Sequence, residues 1–182
     1  GRCTAHELAS LGARVAIWGR KAEKLEAVQR EIEEDGGRCS IHACDIREEV
    51  QVIAAIDEVL ARHGRIDGLV NSAGIYPVTP LMELPLEEWD HVLAINLRAP
   101  FLVAQATARS MIADDIHGAI VNISSTASAL ARPGIAHYGA SKAGLNQLTR
   151  VLAVELAPSN IRVNAILPGV IATERVTGSI TS

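Results

Sequence analysis

Aromatic residues are scarce in this chain of 182 residues: they make up 3% of the sequence, while hydrophobic residues as a whole make up 48%. A hydrophobic core must therefore be built from alanine, valine, leucine and isoleucine. This composition suits a parallel sheet covered by helices, because the strands of such a sheet are apolar on both faces. The length allows one domain, which we assign to residues 1–182.

An excess of basic residues is also lacking, since 17 Lys and Arg face 21 Asp and Glu, for a formal net charge of -4. A nucleic-acid-binding surface needs a basic excess, so we expect no nucleic acid as a partner. No apolar run reaches the roughly 18 residues that span a bilayer, and no signal peptide opens the chain. We therefore expect no membrane partner.

Cysteine occurs only three times, at Cys3, Cys39 and Cys44. The odd number and the spacings match no zinc pattern. We expect three reduced thiols, no metal site and a cytoplasmic protein.

Short apolar segments and amphipathic segments alternate along the chain. The pattern predicts strands over residues 14–18, 39–44, 66–70, 119–123 and 161–167, and helices over residues 2–11, 22–34, 48–63, 87–113 and 138–157. This order indicates βαβ units and an α/β fold with a doubly wound parallel sheet and helices on both faces. Ligands of such sheets bind outside the carboxyl ends of the strands, so the residues just after each strand are candidate site residues.

The two ends of the chain have the pattern of interior segments. Residues 2–11 already resemble the inside of a helix, the first residue is Gly1 and not Met, and residues 173–182 include no closing strand or helix. We therefore expect that pieces are missing at both ends.

Arg20 follows the first predicted strand, where dinucleotide-binding folds carry an acidic residue that binds the adenosine ribose. Here Gly19 stands where that acid could be. A guanidinium can bind a ribose 2′-phosphate with two parallel hydrogen bonds, whereas a carboxylate would repel it. The position favours NADP(H) over NAD(H) as the cofactor. The alternative is a solvated arginine at the start of a helix.

Two further segments follow strands. Asp45 can cap the next helix, which is the role that the residue alone favours, and it can also accept a hydrogen bond from the adenine amino group of a cofactor; the two roles are compatible. The small residues of Asn71-Ser72-Ala73-Gly74 would let a flat ligand approach the backbone closely. The alternative for this second segment is an ordinary tight turn.

Tyr138 and Lys142 lie four residues apart on a predicted helix and so share one face. A free tyrosine has a pKa of about 10, and a neighbouring ammonium lowers that pKa because it stabilises the phenolate. Tyr138 can then act as a general acid or base, and Lys142 can also donate to a cofactor ribose hydroxyl. Ser125, on the preceding loop, can hold the substrate oxygen. Asn96, a polar residue in an apolar helical stretch, can bend the helix and hold a proton-relay water.

Each of these residues also has a simpler interpretation. Tyr–Lys pairs at this spacing are common on helix surfaces, and an asparagine such as Asn96 is often a satisfied buried amide. The residues nevertheless converge on the sheet edge where ligands bind, and this convergence favours an active site.

Taken together, the residues resemble the short-chain dehydrogenase/reductase family over essentially the whole chain. The run from Tyr138 to Lys142 matches the YxxxK motif, and Ser125 has the usual spacing of thirteen residues before the tyrosine, whereas Ser124 lies one place too far. Residues 71–74 resemble the NNAG motif, and Asn96 matches the fourth catalytic residue. The similarity extends to members such as 3-oxoacyl-carrier-protein reductases.

The resemblance implies a Rossmann-like sheet and a nicotinamide cofactor. Residues 168–173 resemble the segment that binds the nicotinamide carboxamide. The first strand, which is central, and the last strand would be absent from this chain, and Gly1 would be the last glycine of the phosphate-binding loop. The cofactor-binding residues would be Gly1, Arg20, Asp45, Ile46, Asn71, Ala73, Gly74, Tyr138, Lys142, Pro168, Gly169, Ile171 and Thr173.

The sequence therefore predicts an NADP(H)-dependent oxidoreductase that transfers hydride between nicotinamide and a carbonyl or secondary alcohol. The catalytic residues would be Asn96, Ser125, Tyr138 and Lys142. A non-catalytic NADP(H)-binding sensor of the same fold is the alternative. A serine hydrolase that uses Ser124 or Ser125 is disfavoured, because a nucleophile elbow needs glycines beside its serine and residues 123–127 contain none. The partner would be a small-molecule substrate, chosen by the loops 75–86 and 130–137, and the resemblance implies a homotetramer or homodimer through the helices 87–113 and 138–157.

Overall fold

A computed structural model describes residues 1–171, in which parallel strands alternate with helices. The strands are β1 (Arg14–Gly19), β2 (Arg38–Ala43), β3 (Gly68–Asn71), β4 (Ala119–Ile123) and β5 (Arg162–Ile166). The helices are α1 (Arg2–Ser10), α2 (Ala22–Glu34), α3 (Glu49–His63), α4 (Leu86–Leu93), α5 (Ala99–Ala113) and α6 (Ala136–Leu156). The predicted α/β fold is confirmed, and apart from the helix over residues 87–113 the predicted bounds lie within two residues of these.

The strands form two parallel sheets. Strand β1 pairs with β2, and β4 lies between β3 and β5. The edges of β1 and β3 line a cavity of about 940 Å³ between the two sheets. This gap agrees with the prediction that the central strand of the sheet is absent from this chain.

The core is aliphatic, as the scarcity of aromatic residues predicts. Its largest cluster packs α5 and α6 against the three-stranded sheet and includes the buried side chains of Met111, Ile120, Leu152 and Ile161. A smaller cluster joins α1 and α2 to the β1–β2 pair through Ala9, Ile32 and Cys39. Each sheet therefore packs against helices of its own through an apolar cluster.

The prediction of one continuous helix over residues 87–113 is wrong. A π-helical turn, Ala94–Arg98, separates α4 from α5, and within it the Ala99 N–H donates to the carbonyl of Ala94, five residues earlier. Pro100 has no N–H, so it cannot donate to the carbonyl of Asn96 as an α-helix requires. Such turns are often found at functional sites, and this one places Asn96 in the interior.

Within residues 1–171, no helix is both long and apolar enough to cross a membrane. The same part of the chain contains no cluster of three or more His, Cys, Asp or Glu side chains that could hold a metal ion. Cys3 is exposed, and the thiols of Cys39 and Cys44 are buried.

Candidate active site

Tyr138 and Lys142 lie near the start of α6. The Nζ atom of Lys142 is 5.9 Å from the centroid of the Tyr138 ring. It donates a hydrogen bond of 2.7 Å to the carbonyl of Ile123, the last residue of β4. Lys142 is buried, and this burial lowers its pKa to about 8 because the ammonium loses its hydration. The structure thus brings the predicted pair together and anchors the lysine to the end of a strand.

Asn96 joins the loop after β3 to the helical layer. Its Oδ1 atom accepts a hydrogen bond from the Ile75 N–H at 2.9 Å, and its Nδ2 atom donates to the Ile75 carbonyl at 2.9 Å. The same nitrogen donates to Ser141 Oγ at 3.2 Å. A Cβ atom at Gly74 would lie 3.3 Å from Asn96 Oδ1 and 3.7 Å from Lys142 Nζ. The loop therefore passes beside both predicted catalytic residues, and the relay water on Asn96 stays a prediction.

The two adjacent serines after β4 have different environments. Ser124 is buried and its hydroxyl donates to the Lys142 carbonyl at 3.3 Å. Ser125 is half-buried and starts a short 3₁₀ turn, in which its Oγ atom accepts a hydrogen bond from the Ala127 N–H at 3.1 Å. The Ser125 hydroxyl donates to no acceptor among the described residues, and its role toward a substrate stays a prediction. This difference supports the choice of Ser125 over Ser124.

The segment after β5 lies beside the Ser125 turn. The Thr126 N–H donates to the Pro168 carbonyl at 3.0 Å, next to a bond between the Ser124 N–H and the Ile166 carbonyl at 2.8 Å. Gly169 and Ile171 follow in extended or irregular backbone, and Ile171 is exposed. Thr173, also predicted to bind the cofactor, lies outside the described residues.

Most of the other predicted cofactor residues line the cavity between β1 and β3. These are Gly1, Ile46, Asn71, Ala73 and Gly74. The N-terminus of α1 opens on the same cavity and lies beside Ser72. The orphan N–H groups of a helix N-terminus favour an anion, so this wall of the cavity can hold a phosphate group.

Arg20 and Asp45 line a separate cleft together with Ala43, Cys44 and Gln51. Asp45 accepts hydrogen bonds from the guanidinium and the backbone N–H of Arg47, and these bonds lower the pKa of Asp45 to about 2. The N-cap of α3 is Glu48, so the prediction that Asp45 caps this helix is wrong. Arg20 is exposed and forms no salt bridge within residues 1–171. The cleft thus offers an exposed guanidinium near an ionised carboxylate whose salt bridge is with Arg47.

Sequence reasoning missed Tyr76, which lies on the loop after Gly74. Its ring meets the Tyr138 ring edge-on, with the centroids 4.6 Å apart and the planes at 77°. A signal was available, because the chain has only two tyrosines and one of them follows the Asn71–Gly74 segment by two residues. The second tyrosine therefore belongs to the same site as the first.

A buried polar connection under the site was missed as well. The Asn71 side-chain amide donates to Asn122 Oδ1 at 2.9 Å, and Asn122 Nδ2 donates to Thr149 Oγ1 at 2.9 Å. This connection joins β3, β4 and α6 below the strand ends. Its signal was the asparagine within the apolar strand Ala119–Ile123, where an unpaired amide would be costly.

Comparisons with known proteins agree with this arrangement. A family described as short chain dehydrogenase matches residues 1–181. D-threitol dehydrogenase of Mycolicibacterium smegmatis is 42% identical over 174 residues, which cover 96% of this chain and 66% of that protein. The chain thus spans slightly less than two thirds of the length of this relative.

Solved structures give the same result. A structure of NAD+-bound xylitol dehydrogenase superposes with a TM-score of 0.93 at 37% identity, over 97% of this chain and 68% of the other. A metagenomic short-chain oxidoreductase in complex with NADP has a TM-score of 0.88 at 44% identity, over 94% of this chain and 77% of the other. The parallel fold, the Tyr138–Lys142 pair beside the Ser125 turn and these similarities lead to one assignment. This chain belongs to the short chain dehydrogenase family.

Proposed function

We propose that this chain carries the active site of an NADP(H)-dependent oxidoreductase that transfers hydride between nicotinamide and a carbonyl or secondary alcohol. The observation that carries the proposal is the buried Lys142 ammonium, 5.9 Å from the centre of the Tyr138 ring. A buried positive charge beside a phenol stabilises the phenolate strongly, because little water screens it. This is the arrangement that an acid/base tyrosine needs.

The roles of the side chains follow from their positions. When bound, a nicotinamide cofactor supplies or accepts the hydride. In the reductive direction, Tyr138 gives its hydroxyl proton to the carbonyl oxygen of the substrate, and Lys142 stabilises the phenolate that is left. The Ser125 hydroxyl donates a hydrogen bond to the same substrate oxygen, which polarises the carbonyl. Asn96 holds the loop after β3 in place and carries the relay water in this proposal.

The residues at the carboxyl end of β3 and at the start of α1, on one side of the large cavity, fit a dinucleotide. The α1 N-terminus at Gly1 suits a pyrophosphate, and the small side chains of residues 71–74 leave room for a flat ring system. Ile46 would cover the adenine side. Pro168, Gly169 and Ile171 would hold the carboxamide of the nicotinamide, together with Thr173.

The preference for NADP(H) rests on Arg20. Asp45 forms its salt bridge with Arg47 and has only a weaker electrostatic attraction to Arg20, so the exposed Arg20 guanidinium is available to bind a 2′-phosphate. One structurally similar relative is in complex with NADP and another is bound to NAD+. Because relatives of both kinds exist, the cleft at Arg20 is the feature that supports NADP(H) here.

Self-association through the helices 87–113 and 138–157 is part of the proposal. Within these helices, Phe101, Ile112, Val151 and Val154 are exposed although they are apolar. Exposed apolar side chains on neighbouring helices support a homodimer or homotetramer.

The test is turnover by the complete protein. NADPH oxidation would be followed by its absorbance with a panel of small ketones and keto-sugars. Tyr138→Phe should lower turnover by about 10²–10⁴-fold, since it removes the acid/base group, and should leave the NADPH dissociation constant unchanged. A Phe variant with the wild-type rate would refute the role of Tyr138. Tight NADPH binding without turnover of any substrate would instead favour the sensor.

A further inference from the structure

Glu88, near the start of α4, fastens the loop after β3 to the start of α6. Its Oε1 atom accepts a hydrogen bond of 2.6 Å from the Thr79 hydroxyl on the loop. The same atom lies 3.0 Å from Nε2 of His137, the residue directly before Tyr138. The Thr79 hydrogen bond, with that of His137, lowers the pKa of Glu88. The carboxylate is therefore ionised near neutral pH and accepts from both sides.

His137 is fully buried, and its Nδ1 atom has no hydrogen-bond partner among the described residues. Since the carboxylate of Glu88 can only accept, Nε2 must carry the proton. The contact therefore fixes the imidazole in one tautomer and in one orientation.

The loop is held closely along this stretch. The Thr79 N–H donates to the Gly134 carbonyl at 2.8 Å. Gly134 has a φ of +77°, and a Cβ atom there would lie 2.8 Å from Cγ1 of Val78. Only glycine combines this backbone conformation with this close approach. The loop thus packs in one defined position against the segment that leads into α6.

The held stretch carries Tyr76, three residues before Thr79. The Tyr76 ring packs edge-on against the Tyr138 ring and is 43% exposed. Edge-on aromatic pairs depend on geometry and contribute about 0.5–1.5 kcal/mol beyond their buried area. A shift of the loop would therefore move the wall beside the proposed acid/base residue.

We propose that Glu88 is a positioning residue for the active site. Through Thr79 it fixes loop residues 76–79, through His137 it fixes the first turn of α6, and it thereby sets the place of Tyr76 beside Tyr138. This inference rests on the function proposed above. Tyr76 would then be the wall against which the carbonyl substrate binds.

Release of the loop should weaken the binding of the substrate more than it slows the chemical step. Lys142 and its bond to the Ile123 carbonyl do not depend on Glu88, and a change at Thr79 leaves the Glu88–His137 contact before Tyr138 in place. We therefore expect a rise of about threefold to tenfold in KM for the carbonyl substrate, which corresponds to one ordinary hydrogen bond, and a smaller change in kcat. The KM for NADPH should stay the same.

The test compares two pairs of variants of the complete protein. Thr79→Val removes the hydroxyl at nearly constant shape, and Thr79→Ser restores it. Glu88→Ala removes the carboxylate, and Glu87→Ala is its control, because Glu87 is the exposed neighbour with the same charge. The readouts are kcat, KM and the amide hydrogen exchange of a peptide covering residues 76–81.

The expected result is a raised KM and faster exchange of the loop in Thr79→Val and Glu88→Ala, with wild-type values in Thr79→Ser and Glu87→Ala. If Glu88→Ala does not fold, the Thr79 pair decides. If the wild type is active and Thr79→Val has the wild-type KM and the wild-type amide exchange, this inference is overturned and the proposed function stays intact. A wild type that turns over no carbonyl would overturn both.

Discussion

The ammonium of Lys142 donates to the carbonyl of Ile123 at 2.7 Å while it lies 5.9 Å from the centre of the Tyr138 ring. One side chain therefore ties α6 to the end of β4 and places a positive charge beside a phenol. The hydrogen bond fixes the position of the charge. Because Lys142 is buried at this position, its charge can stabilise the Tyr138 phenolate strongly, but the same burial lowers the free energy of unfolding. The first two predictions concern these two effects.

The first prediction is a pH dependence of catalysis. Lys142 has a pKa of about 8, so it loses its charge as the pH rises through that value. The phenolate of Tyr138 then loses its stabilisation, and kcat/KM for carbonyl reduction should fall by up to about tenfold per pH unit above pH 8. Lys142→Arg is the control: it stays charged, so the decline near pH 8 should disappear even if the rate is lower. A wild-type profile that is flat from pH 7 to 10 would contradict this prediction.

The second prediction concerns stability. The pKa of Lys142 falls from the ordinary lysine value of 10.5 to about 8 in the folded state, so the folded state holds this proton more weakly than the unfolded state. Below pH 8 the group therefore lowers the free energy of unfolding, by up to about 3 kcal/mol. The cost shrinks between pH 8 and 10.5 and is absent above that range, where both states are neutral.

Lys142→Met should remove this cost. The Ile123 carbonyl then loses its donor, which offsets about 1–2 kcal/mol. We expect the free energy of unfolding at pH 7 to rise by about 1–2 kcal/mol. Above about pH 10.5 the burial cost is absent while the lost hydrogen bond remains, so the variant should there be less stable than the wild type by about 1–2 kcal/mol. Urea unfolding of the complete wild-type protein and of the variant, at pH 7 and above pH 10.5, measures this difference in the free energy of unfolding. A variant less stable than the wild type at pH 7 would show that the hydrogen bond outweighs the burial cost.

The third prediction concerns the cofactor. Arg20→Asp should lower the ratio of kcat/KM for NADPH to that for NADH by about 10–100-fold, because a charge-assisted contact with the 2′-phosphate becomes a repulsion. Arg20→Lys keeps the charge but loses the two-pronged geometry, so its ratio should be intermediate. If both variants keep the wild-type ratio, Arg20 does not bind the phosphate.

The fourth prediction concerns Asn96. Asn96→Ala leaves the N–H and the carbonyl of the half-buried Ile75 without partners. A fully buried orphan group costs about 1–3 kcal/mol, and the partial burial here keeps the cost of each group below the upper end of that range. We expect a loss of about 2–4 kcal/mol in the free energy of unfolding, with faster amide exchange at Ile75. Asn146→Ala is the matched control, since it removes a single half-buried bond to Ser128. If the two variants lose the same free energy of unfolding, the two hydrogen bonds from Asn96 to Ile75 do not contribute the stability proposed here.

The order and type of the elements were predictable from the sequence, because they depend on local patterns. The apolar spacing in α2 and the alternation of strands and helices indicated the fold, and the spacing of four residues put Tyr138 and Lys142 on one face. The sequence predicts one continuous helix over residues 87–113, whereas the structure has a π-helical turn at Ala94–Arg98. The pattern of apolar residues continues through Asn96, and nothing local shows which carbonyl each N–H will reach.

The sequence by itself determined the parallel fold, the membership of a family and the placing of the candidate site beyond the strand ends. Only the tertiary structure decided how the site is held together. The contact between Glu88 and His137 joins residues 49 positions apart, and that between Asn71 and Asn122 joins residues 51 apart. Such contacts leave no periodic trace in the chain, because they depend on how whole elements pack and not on the spacing within one of them.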